Sequence, residues 1–370
     1  MLLEGMMTNE QFRIHLFAWA ATHPRLLPWK GEADPYKIWL SEVLLQQTRV
    51  EQGTPYYLRF VEAYPNVHAL AAAPEGDVLK LWEGLGYYSR ARNLHAAAKQ
   101  VAYMLNGVFP PDLAGLQALP GVGAYTAAAI ASFAYQLPHA VLDGNVYRVL
   151  ARIWGYGEPV DRPEAKIWFA QKAQELLDVH RAGAYNQAIM DFGAMWCTPK
   201  RPRCGDCPMA EQCVAFQQQC VGELPRKTKR PEKRRRFFLY AVVQQDEILY
   251  VHERTDKDIW QNLWDFPLLE VDEMPAENAR IGTLLVEHFF TKSEQKSVKI
   301  DMVQGPLKQV LTHQEVHGFF AKIAQNDPDW RPDDSLNWRP ADQITLKKIL
   351  AKPRLIDRYL DENPLSLTLF

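Results

Sequence analysis

The sequence predicts an all-α N-terminal region followed by a smaller α+β domain, and three observations lead to this fold class. Up to about residue 225, apolar residues recur mostly at helical spacing. A basic run then occupies residues 226–236. Beyond it, short β-branched and aromatic segments replace the helical pattern. We therefore predict a helical region at residues 1–225, a basic linker at 226–236 and an α+β domain at 237–370.

Helical segments follow one another through the N-terminal region, and none of its segments has a convincing strand pattern. The first helix begins near Thr8 and places Phe12, Leu16 and Trp19 on one face. The second begins at Asp34-Pro35, because aspartate is a good N-cap and proline suits the first helical position. The spacing predicts further helices at Asp77–Trp82, Ser89–Leu105, Gly123–Tyr135, Val146–Trp154, Ala165–Leu177 and Tyr185–Met195.

The C-terminal domain is predicted to combine strands with a final helix. Its length of about 130 residues is usual for one domain. The tail, Lys347–Leu360, returns to helical spacing. Segments of strand type lie at Phe237–Gln244, Glu247–His252, Gly282–Val286, Val298–Val303 and Gly318–Ile323.

The composition is that of an ordinary globular protein, with 47% hydrophobic and 23% charged residues and a formal net charge of -2 over 370 residues. This charge does not by itself indicate a nucleic-acid partner. The first residues lack the basic flank of a signal peptide, and no apolar run is long enough to span a bilayer. We expect a cytoplasmic protein, nucleoid-associated in a bacterium, whose 5 cysteines are reduced thiols or metal ligands.

Four of the cysteines, Cys197, Cys204, Cys207 and Cys213, form the pattern C-x6-C-x2-C-x5-C. Four thiolates in so short a stretch suit a [4Fe–4S] cluster or tetrahedral zinc. Threonine, proline, glycine and basic residues surround them, whereas cysteines kept as small apolar residues would lie on apolar helix faces. A metal site is therefore favoured, with zinc and iron–sulfur both open. Cys220 has no assigned role.

A glycine turn, Pro120-Gly121-Val122-Gly123, separates two helical segments. Its glycines allow a tight turn that exposes backbone N–H groups at the N-terminus of a helix. Such exposed N–H groups can bind an anion such as a DNA phosphate. Taken alone it is an ordinary turn, and most such turns bind nothing.

Two carboxylates are candidates for acid–base chemistry. Asp143 stands at a predicted helix start, where aspartate commonly caps. The helical neighbours of Glu42 are largely apolar, which tends to raise the pKa of a carboxyl group and suits a general acid. The alternative is a solvated Glu42 at the edge of the apolar stripe.

Four motifs carry a family resemblance: S-E-V-L-L-Q-Q-T, W-E-G-L-G-Y-Y-S-R-A-R-N-L, L-P-G-V-G-x-Y-T-A and L-D-G-N-V-x-R-V. In this order through residues 8–225 they resemble adenine DNA glycosylases of the MutY type, in the endonuclease III, or helix–hairpin–helix, superfamily. The resemblance implies a base-excision-repair enzyme that hydrolyses the N-glycosidic bond of adenine mispaired with 8-oxoguanine or guanine. The cysteine spacing is that of the same superfamily, which implies a [4Fe–4S] cluster in the loop at 197–213, with a structural role.

The resemblance also implies roles for three residues. Glu42 would protonate N7 of the adenine ring, and Asp143 would stabilise or trap the sugar cation. Tyr125 matches a tyrosine near the sugar in part of the family. Glycosylases that also cut the strand have a lysine at this position. We therefore expect a monofunctional enzyme that leaves an abasic site.

The target base must leave the duplex before hydrolysis, at a cost of a few kcal/mol in lost stacking. By resemblance, Gln47 and Tyr87 are the wedge residues that contact DNA. The turn Gly121, Val122 and Gly123 resembles the helix–hairpin–helix element that contacts the DNA backbone. The alternative for Tyr87 is a core aromatic. Arg25 and Trp29 correspond to the lining of the adenine pocket.

In the C-terminal domain, W-Q-N-L-W-D-F-P at residues 260–267 resembles the Nudix-like domain that ends this family. The metal-binding glutamate helix of Nudix hydrolases is missing between Phe266 and Glu287, so we expect a recognition domain. Leu311-Thr312-His313 corresponds to a Phe-Ser-His loop that senses 8-oxoguanine, with the aromatic residue lost. We expect the basic run at residues 226–236 to follow the DNA backbone between the domains, which would make binding salt-sensitive.

These features predict a monomer that binds double-stranded DNA with A:8-oxoguanine or A:G mispairs and does not bind membranes. Three alternatives remain. A pyrimidine or mismatch thymine glycosylase is disfavoured by the missing lysine and by Glu42. A non-catalytic iron–sulfur DNA sensor is disfavoured because Glu42 and Asp143 are both present. A nucleotide-diphosphate hydrolase is disfavoured by the missing glutamate helix.

Overall fold

The structure, a computed structural model, describes residues 7–229, 231–275 and 277–363. The chain forms two compact units, Met1–Ala72 with Asn93–Arg230 and Ala73–Arg92 with Pro231–Phe370. The segment Ala73–Arg92 was expected in the helical region and instead belongs to the C-terminal unit. None of the helices among the described residues is long and apolar enough to cross a membrane.

Residues 7–229 form helices and no strand, which confirms the all-α prediction for this described part of the chain. A π-helical turn, Gln100–Met104, extends one helix, and a 3₁₀ turn covers Ala210–Gln212. The helices are α1 (Asn9–Thr22), α2 (Pro35–Leu45), α3 (Val50–Ala63), α4 (Val67–Ala72), α5 (Glu75–Trp82), α6 (Ser89–Lys99), α7 (Leu113–Gln117), α8 (Ala124–Tyr135), α9 (Gly144–Ile153), α10 (Pro163–Leu176), α11 (Ala182–Met195) and α12 (Val214–Gln217).

The first two helices begin where the sequence predicts. Thr8 and Gln11 cap α1 reciprocally, each side chain accepting a hydrogen bond from the backbone N–H of the other residue. The Asp34 side chain accepts from the N–H of Tyr36 at 2.9 Å, and Pro35 opens α2. These caps satisfy N–H groups that a helix N-terminus leaves without an internal partner.

The core that positions the site lies between α1, α9, α10 and α11. Phe12 and Trp19 of α1 pack edge-on against Tyr185 and Phe192 of α11, with ring centroids 6.4 and 5.0 Å apart. Each such buried aromatic side chain contributes on the order of 2–3 kcal/mol. This packing fixes α9 and α11, which both carry residues of the site described below.

The C-terminal unit is built on one mixed sheet with the strand order β3-β2-β1-β6-β5, while β4 pairs with β1 and β7 with β2. β1 runs parallel to β6, and the other pairs are antiparallel. The strands are β1 (Arg234–Gln245), β2 (Ile248–Glu253), β3 (Trp264–Asp265), β4 (Leu268–Val271), β5 (Val298–Val310), β6 (Gln314–Gln325) and β7 (Trp338–Ala341), and the helices are α13 (Asn278–Phe289), α14 (Gln343–Lys348) and α15 (Arg354–Glu362).

One strand prediction is wrong: Gly282–Val286 lies within helix α13. Ile281 and Leu285, four residues apart, are both fully buried against the sheet. Gly282 permits close packing, because a Cβ there would lie 2.9 Å from side-chain atoms of Ile300. A short apolar run does not by itself distinguish a strand from a buried helix face.

Two other boundaries differ from the prediction. The tail forms two helices, α14 and α15, which residues 349–353 separate. The first strand begins at Arg234, inside the predicted basic linker, because Arg236 is buried and pairs with Asp258 and Glu270 at 2.8 and 2.6 Å. Arg230 of that linker lies outside the described residues.

Candidate active site

A cavity of about 650 Å³ opens in the helical unit, where α2 ends, α8 and α9 begin, and α11 passes. Its size is usual for a pocket that binds a small molecule. The sequence-predicted residues that line it are Arg25, Trp29, Glu42, Gln47, Gly121, Gly123, Tyr125 and Asp143.

Glu42 lies on α2 with only 6% of its surface exposed. Burial raises the pKa of Glu42 to about 7; the hydrogen bond from Tyr125 opposes this rise and the charge of Asp143 adds to it. A carboxyl group with this pKa is partly protonated at neutral pH and can donate a proton. The alternative of a solvated Glu42 is wrong.

Tyr125 stands in the first turn of α8 and contacts Glu42 directly. Its hydroxyl donates a 2.6 Å hydrogen bond to Oε2 of Glu42. Burial and the neighbouring carboxylates of Glu42 and Asp143 hold the pKa of Tyr125 well above its ordinary value, so the hydroxyl remains a donor. No lysine lines this cavity among the described residues. The nearby Lys30 is paired with Asp191, Nζ to Oδ2, at 2.8 Å.

Asp143 is the N-cap of α9. Its Oδ1 accepts from the N–H of Val146 at 2.8 Å, and its Oδ2 accepts from the amide of Asn145 at 2.6 Å. Burial raises the pKa of Asp143, and these hydrogen bonds oppose the rise. The cap therefore holds the carboxyl group in one orientation while it lines the cavity.

The glycine turn joins α7 to α8. Gly121 has φ +74°, and a Cβ on it would lie 2.7 Å from the Cβ of Asn93, so only glycine fits. The N–H of Val122 is bonded to the carbonyl of Leu119, and its side chain is buried. Val122 thus anchors the turn, while Gly121 and Gly123 are exposed. An exposed backbone at the start of a helix is suited to bind a phosphate.

The two wedge candidates share an unusual backbone conformation. Gln47, directly beyond α2, has φ +57° and is exposed at the rim of the cavity. Tyr87, in the C-terminal unit, has φ +48° and is 44% exposed. Its exposure contradicts the core-aromatic alternative. Left-handed conformations are uncommon outside glycine and cluster at functional sites.

An acidic side chain of α11 binds one predicted pocket residue, Arg25, and the unpredicted Lys30. Asp191, only 4% exposed, pairs with Arg25 at 3.4 Å and with Lys30 at 2.8 Å. Between them in sequence, Trp29 is 9% exposed and packs edge-on against Tyr57 at 5.2 Å. The ion pairs therefore fix the chain on either side of the Trp29 indole.

The sequence analysis did not single out Gln187 or Asp191, although both line the cavity. They lie four residues apart on α11, so they share one face of the helix. Two polar residues at this spacing in a largely apolar helix are the signal that could have identified them.

The four half-buried cysteines of the C-x6-C-x2-C-x5-C pattern line one small space under the end of α11. Burial is the main cause that raises the pKa of Cys207 to about 12 and that of Cys213 to about 11. Such thiols ionise only with a compensating positive charge, which a bound metal group supplies. In the described residues, no group of three or more acidic, His or Cys side chains is arranged for a single metal ion. The choice of cofactor therefore rests on the comparison given below.

Two buried arginines of α9 lie beneath the cysteine loop. Arg152 donates to Sγ of Cys197 at 3.3 Å and to the carbonyl of Thr198 at 2.8 Å. Arg148 donates to the carbonyl of Cys197 at 2.7 Å. Positive charge at this position suits a thiolate-ligated cluster with net negative charge.

Leu311-Thr312-His313 forms the turn between β5 and β6 in the C-terminal unit. The N–H of Leu311 donates to the carbonyl of Gln314 at 2.8 Å, which closes the turn. The Lys233 ammonium donates to the carbonyl of Leu311 at 2.8 Å, and His313 is exposed. The three residues are therefore presented on a turn that is tied to the start of the sheet.

Two family models match the chain. Residues 40–172 match the HhH-GPD superfamily base excision DNA repair proteins, and residues 197–213 match the iron–sulfur binding domain of endonuclease III. The second match spans the four cysteines and leaves out Cys220. It supports a [4Fe–4S] cluster on these cysteines, and the set of four half-buried thiols fits this group.

Curated relatives extend the similarity. The adenine DNA glycosylase of Buchnera aphidicola subsp. Schizaphis graminum is 36% identical over 65% of this chain and 70% of the relative. The adenine DNA glycosylase of Schizosaccharomyces pombe is 30% identical over 86% of this chain and 83% of the relative.

Solved structures resemble the helical part. A thermostable thymine-DNA glycosylase has 27% identity and a TM-score of 0.53, covering 57% of this chain and 97% of that one. An endonuclease III bound to DNA has 24% identity and a TM-score of 0.50, covering 58% and 99%, which supports the fold alone.

Proposed function

The chain belongs to the adenine DNA glycosylases of the HhH-GPD superfamily, and from this we propose that it excises adenine mispaired with 8-oxoguanine or guanine and leaves the strand uncut. As a member of this family it binds DNA and hydrolyses the N-glycosidic bond of adenine in base excision repair. The choice of mispair, the single chemical step and the residue roles below are our proposal.

The observation that carries the proposed chemistry is the buried Glu42 with its Tyr125 hydrogen bond. With a pKa of about 7, Glu42 can protonate N7 of adenine, which makes the base a better leaving group. The bond between C1′ of the sugar and N9 then breaks, and its electron pair leaves with the protonated base. Water adds to C1′ and releases a proton, so that adenine and an abasic site are the products.

Asp143 is placed to act on the sugar as positive charge develops there. Its carboxylate lines the same cavity as Glu42, and its two cap hydrogen bonds fix its orientation. A preorganised negative charge stabilises an oxocarbenium-like transition state without reorganising at the moment of reaction.

None of the described residues that line the cavity is a lysine, and this supports hydrolysis without strand cleavage. Cleavage of the strand by this class requires an amine that forms a Schiff base with the sugar. The ammonium of Lys30 is held by Asp191, and Tyr125 offers only a hydroxyl. Abasic DNA is therefore the expected product.

DNA contacts are proposed for two surfaces, one in each compact unit. In the helical unit, the turn at Gly121 and Gly123 presents exposed backbone to a phosphate, and Gln47 stands at the cavity rim. In the C-terminal unit, Tyr87 is exposed, and the turn at residues 311–313 presents Thr312 and His313 for contact with 8-oxoguanine. We expect a monomer on duplex DNA.

The four cysteines of the C-x6-C-x2-C-x5-C pattern would hold the [4Fe–4S] cluster, which would cross-link residues 197–213. We propose that its role is structural. The cysteine loop lines a cavity of its own rather than the one that contains Glu42.

The test is single-turnover cleavage of duplexes with A:8-oxoguanine, A:G and T:G pairs, each with and without alkali, for the native protein and for Asp143→Asn. We expect alkali-dependent breakage at adenine alone, and a rate that is lower on the order of 10³-fold with Asp143→Asn. Breakage at thymine, or breakage without alkali, would contradict the proposal.

A further inference from the structure

The chain around Tyr87 packs in the C-terminal unit although it lies in the N-terminal half of the sequence. The loop has an unusual backbone, with φ values of +97° at Gly84, +69° at Gly86 and +48° at Tyr87. A non-glycine residue holds such a conformation only where its surroundings enforce it. Contacts within the C-terminal unit must therefore stabilise the conformation of this loop.

Within the loop, the flanking side chains point inward and Tyr87 points outward. Leu85 and Tyr88 are 7% and 5% exposed, whereas Tyr87 is 44% exposed. The indole N–H of Trp82 donates to the carbonyl of Gly86 at 3.0 Å, which closes the turn. The loop thus presents the Tyr87 ring to solvent between the buried side chains of Leu85 and Tyr88.

Two kinds of contact hold this loop. Nearby, the Arg90 guanidinium donates to the carbonyls of Leu85 and Gly86 at 3.3 Å, and further contacts come from the far end of the chain.

Lys352, between α14 and α15, is 1% exposed. Its ammonium pairs with Glu83 at 3.1 Å and with Asp357 at 2.9 Å. Its carbonyl accepts from the hydroxyl of Tyr88 at 3.2 Å, and its N–H donates to Glu83 at 3.1 Å. Lys352 therefore contacts the chain on both sides of Tyr87.

A second lysine completes the cluster. The ammonium of Lys80 donates to Glu83 at 2.6 Å and to the carbonyls of Lys347 and Leu350 at 2.8 and 3.1 Å. Only the ammonium of Lys352 is fully buried in this cluster, so loss of its partner Glu83 would leave a charge there that is only partly compensated. The cluster is thus a specific connection between the loop and residues 347–357.

We propose that Lys352 is a positioning residue for the wedge, holding Tyr87 in its exposed, left-handed conformation through Glu83 and Tyr88. The C-terminal region then supports base extrusion as well as carrying the turn at residues 311–313. This inference rests on the proposed role of Tyr87 as a DNA contact. Lys352 itself touches neither substrate nor cluster in this scheme.

The first experiment measures hydrogen–deuterium exchange at residues 84–89 in the free, full-length protein. Lys352→Met keeps most of the side-chain volume and removes the charge, and Lys348→Met is the matched control on an exposed lysine. We expect faster exchange in the loop with Lys352→Met and unchanged exchange with Lys348→Met. Unchanged exchange in Lys352→Met would overturn the proposal. If Lys352→Met does not fold, Glu83→Gln tests the same connection, with the same two outcomes.

The second experiment follows 2-aminopurine fluorescence in a duplex that pairs this base with 8-oxoguanine, since unstacking raises its emission. A displaced positioning group can lower a rate by about ten- to a hundredfold. We expect such a loss in the rate of unstacking for Tyr87→Ala and for Lys352→Met. In the double variant, the rate should be no lower than in the slower of the two single variants. Multiplied losses in the double variant would overturn the proposal. A loss with neither variant, alongside faster loop exchange, would sustain the positioning of the loop and refute the DNA role of Tyr87.

Discussion

The hydroxyl of Tyr125 donates a 2.6 Å hydrogen bond to the buried carboxyl group of Glu42. The two residues are carried by different helices, α8 and α2. A second bond joins the same helices, from the side-chain amide of Gln46 to the hydroxyl of Thr126 at 3.1 Å. Because both contacts lie at the cavity, the packing of α2 on α8 sets the geometry of the proposed general acid.

Tyr125→Phe should move the pH dependence of adenine excision. The Tyr125 hydrogen bond lowers the pKa of Glu42 against the effect of burial, so its removal raises that pKa above about 7. Since the acid acts in its protonated form, the alkaline fall in single-turnover rate should shift to higher pH. The maximal rate should fall less than about tenfold, because one hydrogen bond contributes about 1 kcal/mol.

Tyr135→Phe is the control for that measurement. Tyr135 lies on the same helix, and its hydroxyl donates to the carbonyl of Phe109 at 3.1 Å, away from Glu42. Its pH–rate profile should match that of the native protein. If the alkaline fall in rate shifts equally in both variants, or in neither, the Tyr125 hydrogen bond does not set the pKa of Glu42.

Glu42→Gln should abolish excision and change how stability depends on pH. The pKa of Glu42 is raised from 4.5 to about 7 in the folded protein, so the folded state holds a proton that the unfolded state releases. The resulting stabilisation is present below pH 4.5 and is lost as the pH rises through about 7. Relative to the native protein, Glu42→Gln should gain roughly 3 kcal/mol across this range. Urea unfolding at several pH values measures the difference, and a constant difference would contradict the raised pKa.

Local patterns in the sequence predicted most of the fold. The caps at Thr8 and Asp34 depend on residues within four positions, and both helices begin as expected. The strand prediction for Gly282–Val286 was wrong, because the helical conformation of this segment depends on packing against a strand that follows it in the chain. The grouping of Ala73–Arg92 with the C-terminal unit depends on contacts such as that of Glu83 with Lys352, which no local pattern encodes.

In the candidate site, too, local sequence predicted some features, whereas contacts between distant segments were not predicted. The apolar neighbours of Glu42 on its own helix predicted its burial. Its bond with Tyr125 joins residues 83 positions apart in sequence, and a family motif suggests their proximity without giving the contact. The pairing of Asp191 with Arg25 and Lys30 likewise joins distant segments and was not foreseen.

Asp143→Asn and Asp143→Ala should separate chemistry from capping. Asparagine can still accept from the N–H of Val146, so α9 should keep its cap while the negative charge is lost. Excision should fall on the order of 10³-fold in single-turnover assays. Alanine removes the cap as well and should cost a further ~1 kcal/mol of stability. Equal thermal stability of the two variants would mean that the cap does not stabilise the protein.

Cys204→Ser and Cys220→Ser should differ in colour and solubility. Cys204 lines the small space with the other three ligands, whereas Cys220 lies outside the residues that match the iron–sulfur domain. We expect Cys204→Ser to be colourless and poorly soluble, because the loop loses its cross-link. Cys220→Ser should be brown and fully active. Visible absorbance and iron content show whether each variant holds the cluster. A brown, active Cys204→Ser protein would refute the ligand assignment.

Gly121→Ala and Gly123→Ala test the glycine turn as a matched pair. Alanine at Gly121 must adopt φ +74° and would place its Cβ 2.7 Å from Asn93, whereas Gly123 has φ -82° and open space around it. The left-handed conformation alone costs about 1–2 kcal/mol for a residue with a Cβ.

We expect Gly121→Ala to lose affinity for undamaged duplex about tenfold, since a distorted turn no longer fits the phosphate backbone. Gly123→Ala should stay within about twofold, because its backbone is unstrained. Titration of a fluorescent duplex at fixed salt measures both, and equal losses would show that the turn's conformation is not what binds DNA.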